Sequence, residues 1–226
     1  MSSHHVVRDK QEPALIIANG AACSDALLGQ LLEWSPIIVV LDKAIYRVMD
    51  KGIKVDVLLG DFDQGIDMEA IQKAQYPIEI IYTPDQEKTD LEKGIEYLIS
   101  QGHQAANIVW ATGLRADHTL NNLSSITKYK NQITLVMHDD WSKIFCLKNV
   151  YEKWYPANTN LSIMPIGKAI QVTTHGMKYD LLEEDLELGF RTSSSNQTLE
   201  DGFISITHKS GNLFLMQCND SPEFPN

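Results

Sequence analysis

Residues 36–61 read PIIVVLDKAIYRVMDKGIKVDVLLGD, and this stretch decides the fold. A β-branched apolar run ends on Asp42, a segment with apolar positions at three- and four-residue spacing follows, and a second apolar run ends on Gly60 and Asp61. Two short apolar runs joined by a helix form a βαβ unit, whose strands lie parallel. Working outward, the alternation continues. ALIIAN (14–19) precedes it, and IEIIYTP (78–84), NIVWAT (107–112) and ITLVMHD (133–139) follow. Helical periodicity marks residues 24–34, 44–52, 89–102 and 117–129. Residues 1–139 are therefore expected to form an α/β domain, a mostly parallel sheet with helices on both faces.

Beyond residue 139 the texture changes. SKIFCLKN, TNLSIMPIG, AIQVTTHG, DGFISITHKS and GNLFLMQC are short apolar runs broken by Gly, Asn, Ser and Pro. This punctuation predicts an all-β, sandwich or barrel-like domain over residues 140–226. The boundary is a change of period and not a flexible linker.

Composition narrows the function. Lys and Arg number 19 against 30 Asp and Glu, a formal charge of −11, which repels a phosphate backbone and argues against nucleic acid as a partner. Cys23, Cys146 and Cys218 form neither a C-x-x-C pair nor a disulfide framework, which suits buried thiols in a reducing cytoplasm. The apolar runs are far shorter than the ~20 residues a bilayer requires, so no membrane span is expected. His4 and His5 could be a metal pair, but a frayed polar terminus is the better account of them.

In an open parallel sheet, ligands sit beyond the carboxyl ends of the strands. Four polar clusters fall on that edge: Asp42; Gly60, Asp61 and Asp63; residues 83–90; and residues 112–118. Loops on the opposite edge carry no comparable run of carboxylates. In GDFDQ (60–64), two carboxylates two apart in extended chain point the same way and favour a divalent cation; oxygen-only ligands suit Mg²⁺. A turn in which each Asp bonds local amides is the alternative. Thr89 and Glu92 make a capping box with Asp90 in the first helical turn, where the cap alone explains it equally well. Lys88 and Lys93 flank Asp90. In ATGLRADHTLNN (111–122), Gly113, Arg115 and the following amides form a candidate phosphate cradle, with Asp117 as a possible N-cap and His118 as a surface imidazole or phosphate ligand. No P-loop or dinucleotide fingerprint is present.

These motifs, in this order, resemble the thiamin pyrophosphokinase family. Its pattern of D-G-G-A, G-D-F-D-S, D-x-x-x-T-D-F-x-K, G-G-R-x-D-H-x-L-x-N, G-L-K-W/Y-x-L and S-N-E is met by LDKA, GDFDQ, DQEKTDLEK, GLRADHTLNN, HGMKYDL and SSSNQ. Residues 16–216 carry the resemblance. Lys43, Gln64, Leu114 and Gln197 depart from it. The resemblance implies transfer of the pyrophosphoryl group of ATP to the hydroxyethyl oxygen of thiamin, leaving AMP. It implies Mg²⁺ held by Asp61, Asp63 and Asp90, phosphates bound by Arg115 and Lys93, and a nucleotide site that includes Asp42, Gly113, His118 and Asn122. Asp117 would orient the attacking hydroxyl or a metal-bound water. Gln86 would face thiamin, with Tyr179, Ser195 and Asn196 as a cradle in the second domain, and the thiamin site of a homodimer would lie between subunits. Phe62 is then expected to point away from the metal and pack inward. A Mg²⁺-dependent phosphohydrolase and a non-catalytic nucleotide or thiamin sensor are the competing readings.

Overall fold

The computed structural model describes residues 12–63 and 65–220; His4, His5 and Gln64 lie outside them. The chain divides at Leu135 and Val136 into two compact units.

The first unit carries β1 (Ala14–Ile17), β2 (Ile38–Leu41), β3 (Val57–Gly60), β4 (Glu79–Tyr82) and β5 (Ala105–Val109), in the order β4-β3-β2-β1-β5. The pairs β1–β2, β1–β5, β2–β3 and β3–β4 are all parallel. Every residue of β1, β2 and β3 is buried, whereas β4, at the edge, is exposed at both ends. Continuous apolar runs are what strands covered on both faces require.

The helices are α1 (Asp25–Leu32), α2 (Ala44–Asp50), α3 (Met68–Ala74), α4 (Asp90–Ser100) and α5 (Ala116–Tyr129). Right-handed crossovers put α1, α2 and α3 on one face as the chain steps outward from β1 to β4. They put α4, which returns the chain across the sheet to β5, on the other. There α4 meets α5 through the Lys128–Glu92 ion pair at 2.7 Å and the Tyr129 hydroxyl, which donates to Glu96 at 2.8 Å. The capping box forms as its spacing predicts. Glu92 N donates to Thr89 Oγ1 at 3.3 Å and Thr89 N donates to the Glu92 carboxylate at 3.1 Å, which fixes Asp90 as the first residue of α4.

Two elements differ from the expectation. Seven-residue α3 buries only Ile71, too little for a periodicity signal, and is started by Asp67 accepting from Ala70 N at 3.0 Å. Strand β5 ends at Val109, earlier than its apolar run, because Trp110 adopts φ +57° and leaves the extended region.

The second unit is built from antiparallel pairs among β6 (Thr134–His138), β7 (Ser142–Cys146), β8 (Val150–Tyr155), β9 (Asn160–His175), β10 (Glu184–Glu187), β11 (Ser193–Gln197), β12 (Gly202–Thr207) and β13 (Ser210–Cys218). Strand β9 organises them. Its first half pairs with β13 and β11, residues 168–172 pair with β10, and its last three residues pair with β12. Gly167, at φ +73°, lets one long strand serve successive partners, the device by which sandwiches turn their corners. Leu161, Ile163, Val172, Ile204, Leu213 and Leu215 anchor its core. No disulfide joins the cysteines; Cys23 is buried, but Cys146 and Cys218 are only partly so. No described helix is long and apolar enough to cross a membrane.

Candidate active site

Strand β1 lies between β2 and β5, so the loops leaving β1 and β5 part in opposite directions. That switch point opens a cleft of about 710 Å³ beyond the carboxyl ends of the strands. Gly20 follows β1, Asp42 follows β2, Asp61 follows β3, Gln86, Lys88 and Asp90 follow β4, and Gly113, Arg115, Asp117 and His118 follow β5; all of them line it.

The loop after β1, absent from the sequence reading, forms part of the lining. Gly20 N donates to Trp110 O, and Ala21 N donates to Thr112 O at 2.9 Å. A Cβ on Gly20 would lie 2.5 Å from the Trp110 carbonyl oxygen, so only glycine permits this approach. Arg47, from α2, braces the loop. Its Nη1 donates to Gly20 O at 2.9 Å and its guanidinium lies 4.3 Å from the Trp110 ring centroid, where burial lowers its pKa. The signal was Asn19-Gly20 directly after the first apolar run.

Three carboxylates gather on the opposite side. Asp42 sits at φ +46°, and its Oδ1 is buried without a hydrogen-bond partner. Asp61 accepts from Gln86 Nε2 at 2.9 Å, and this bond, helped by Lys93, holds its pKa below 3.8. Burial raises the Asp90 pKa; the charges of Asp42 and Asp61 push the same way, against Lys93. Lys93 itself is buried, donating to Thr83 O at 2.9 Å and to Asp90 at 3.4 Å.

The extended reading of GDFDQ requires correction. Phe62 adopts φ +53° and turns the chain, so Asp61 and Asp63 do not stand side by side. Asp63 N donates to Asp61 Oδ1 at 3.5 Å, the turn alternative, and Asp63 is exposed outside the cleft lining. The Phe62 ring lies over Gly60 and 6.3 Å from the Tyr82 ring, partly buried.

Among the described residues, no three His, Cys, Asp or Glu side chains form a ready metal cage. Mg²⁺ does not need one, since it usually takes one or two carboxylates and completes its shell with waters and substrate phosphates. An unpartnered buried carboxylate oxygen on Asp42, with Asp42 and Asp61 both close enough to Asp90 for their charges to raise its proton affinity, is a donor set that fits such an ion.

On the β5 side, Gly113 at φ +73° packs where a Cβ would come within 2.6 Å of Ala21 Cβ. Arg115, the N-cap of α5, forks onto Asp117, with Nε–Oδ1 at 3.1 Å and Nη2–Oδ2 at 2.6 Å. Hydrogen bonding to Arg115 draws the Asp117 pKa down to about 2. Asp117 is the second residue of the helix and not its cap, and His118 beside it is exposed. Asn122 lines the cleft, yet its amide nitrogen already donates to Ala111 O at 2.8 Å, tying α5 to the end of β5.

The structure places Tyr179, Ser195 and Asn196 in the second unit. Tyr179 is 63% exposed, with Lys178 Nζ 5.6 Å from its ring centroid, and Ser195 is exposed at φ +54°. Asn196 departs from the expectation of a substrate-facing amide. It is buried, accepts from Tyr179 N at 3.1 Å and Gln197 N at 2.9 Å, and donates to Tyr179 O at 2.8 Å, so it holds the backbone that presents Tyr179. Asp180, overlooked in the sequence, fixes the same turn by accepting from Thr174 Oγ1 at 2.8 Å and from the Gly176 and Met177 amides.

Two family models match this chain. Residues 28–137 match the thiamin pyrophosphokinase catalytic domain, and residues 149–213 match the thiamin pyrophosphokinase vitamin B1 binding domain. The chain belongs to the thiamin pyrophosphokinase family. The catalytic-domain match takes in Asp42 to Asn122, and the second match takes in Tyr179, Ser195 and Asn196. Among relatives, the thiamine pyrophosphokinase of Bacillus subtilis is 27% identical over 192 residues, 80% of this chain and 86% of that protein. Thiamin pyrophosphokinase 1 of Caenorhabditis elegans is 28% identical over 174 residues, 70% of each. The crystal structure of the Bacillus subtilis thiamine pyrophosphokinase shares the fold with a TM-score of 0.78 at 24% identity, over 92% of this chain and all of that one.

Proposed function

We propose that the chain transfers the pyrophosphoryl group of ATP to the hydroxyethyl oxygen of thiamin, giving thiamin diphosphate and AMP. The observation that carries this reading is the meeting of Asp42, Asp61 and Asp90 with Lys93, on the same strand edge as Arg115 and the amide end of α5, in a chain of this family.

Asp42, Asp61 and Asp90 would hold Mg²⁺, with Asp63 reaching it through water; bound there, the ion would supply positive charge to the polyphosphate oxygens and the departing AMP. Asp42 would thus serve the nucleotide through a cation, since a bare carboxylate repels phosphate. Arg115 binds phosphate oxygens with the same fork it now gives to Asp117, and Gly113 lets the backbone come close. Lys93, pinned by Thr83 O, gives a fixed positive charge beside Asp90, where a solvated lysine would have to be ordered first. Gln86 orients Asp61 and faces thiamin. Once Arg115 turns its fork to phosphate, the Asp117 carboxylate is released to orient the hydroxyl through a hydrogen bond, and an aspartate of ordinary pKa is a weak base for that proton.

In the second unit, the exposed Tyr179 ring and the Ser195 hydroxyl would receive the flat, cationic thiamin, with Asn196 fixing Tyr179 from behind. The reading includes a cytoplasmic homodimer, as the family resemblance implies, and no nucleic-acid partner, in keeping with a charge of −11. Incubating the protein with thiamin, ATP and Mg²⁺ tests it: thiamin diphosphate and AMP are expected in equal amounts. ADP or inorganic phosphate without the diphosphate would replace this reading with hydrolysis, and tight binding without product would replace it with a sensor.

A further inference from the structure

We propose that Leu114 is the apolar platform on which the base of the nucleotide packs, an inference that rests on the ATP reading above.

Leu114 breaks two rules at once. Its backbone lies at φ +54°, a region where a Cβ is strained, and its side chain is 76% exposed. The other leucines lining the cleft, Leu41 and Leu91, are 2% and 3% exposed and belong to the core. Leu114 is therefore the cleft leucine with apolar surface to offer a ligand. Local strain joined to an exposed apolar side chain, inside the cleft where Asp42, Asp61 and Asp90 meet Lys93 and Arg115, marks a residue shaped for contact and not for stability.

The neighbours choose the occupant. Arg115, whose fork now rests on Asp117, follows directly in the chain, and α5 begins one residue later with no side-chain cap from Arg115 on its first amides. Both favour negative charge beside Leu114 and disfavour a cationic ring such as thiazolium. A neutral, flat ring carrying phosphates satisfies both halves: its face covers the leucine, and its anionic tail lies towards Arg115. That is the chemistry of a nucleotide base.

The test compares AMP, which carries the base, with inorganic tripolyphosphate, which does not. Dissociation constants are measured for the full chain, Leu114→Gly and Leu114→Met. Loss of one covered leucine face should weaken AMP about 5–10-fold in Leu114→Gly. Tripolyphosphate should bind unchanged, Leu114→Met should keep AMP affinity within about twofold, and the melting temperature of Leu114→Gly should be equal or higher because the strain is relieved. Unchanged AMP affinity in Leu114→Gly would overturn the proposal. So would an equal weakening of both ligands, which would make Leu114 a support for the phosphate loop, and a lower melting temperature would remove the strain argument. If the native chain binds neither ligand, the ATP reading itself falls and takes this inference with it.

Discussion

At the cleft of the first unit, Asp42 keeps a buried oxygen without a partner and burial raises the pKa of Asp90, whereas in the second unit Asn196 and Asp180 spend their hydrogen-bonding capacity on the backbone around Tyr179. Only the first set is left wanting something. Unmet polar groups cost stability and persist where a ligand completes them, while satisfied ones hold a shape. On the proposed function, the contrast separates residues that would meet substrate or its metal from residues that would hold those in place.

The sharpest way to break the contrast is to remove one carboxylate. Asp61→Asn preserves the shape of the side chain and its capacity to accept a hydrogen bond, but not its charge. Formation of thiamin diphosphate should fall about 10²–10³-fold, the scale of losing one preorganised electrostatic group, while the melting temperature stays within about 2 °C. Full activity in this variant would show that the carboxylate cluster is structural after all.

Asn196→Ala probes the other half. It deletes the acceptor for the Tyr179 and Gln197 amides and the donor to Tyr179 O inside a buried turn. A loss of about 2–4 kcal/mol is expected from the stranded backbone groups, read as a lower urea midpoint. KM for thiamin should rise with it, because the turn that presents Tyr179 loosens, while KM for ATP should not move. A stable variant with weak thiamin binding would return Asn196 to the substrate-contacting class.

The same distinction explains what was legible in the sequence. The βαβ alternation, the capping box at Thr89 and the carboxylates at strand ends could be read because each is local: apolar runs, three-residue spacings and charges next to a run. Helix α3 escaped because a helix with only Ile71 buried has no apolar stripe to show. The loop at Gly20 escaped because its role depends on the carbonyl of Trp110, some ninety positions away in the chain and adjacent only once β1 and β5 pair. The side-by-side geometry of Asp61 and Asp63 was misread because a left-handed Phe62 is invisible in residue type. Asn196 was misread for a similar reason: an asparagine in a serine cluster looks the same whether its amide faces solvent or the backbone behind it.

The smallest effect is electrostatic and tests the cleft from within. Asp90 and Asp117 sit on the same edge yet shift in opposite directions, Asp90 upwards through burial and its carboxylate neighbours, and Asp117 down to about 2 through Arg115. For Asp90 the folded state binds its proton more tightly than the unfolded chain, so its ionisation costs stability progressively as pH rises from about 3.8 through its folded value. For Asp117 the sign is reversed: its pairing adds stability that is present above about 3.8 and is lost as pH falls towards 2. Carboxyl ¹³C titration of the substrate-free protein should resolve the two on either side of the ordinary aspartate value. Adding Mg²⁺ should draw Asp90 downwards, because a cation favours the ionised form, and Arg115→Gln should let Asp117 climb back towards 3.8 while Asp90 stays put. If Mg²⁺ leaves Asp90 where it was, the unmet carboxylates of the cleft are not waiting for a divalent ion, and the difference between the two regions needs another cause.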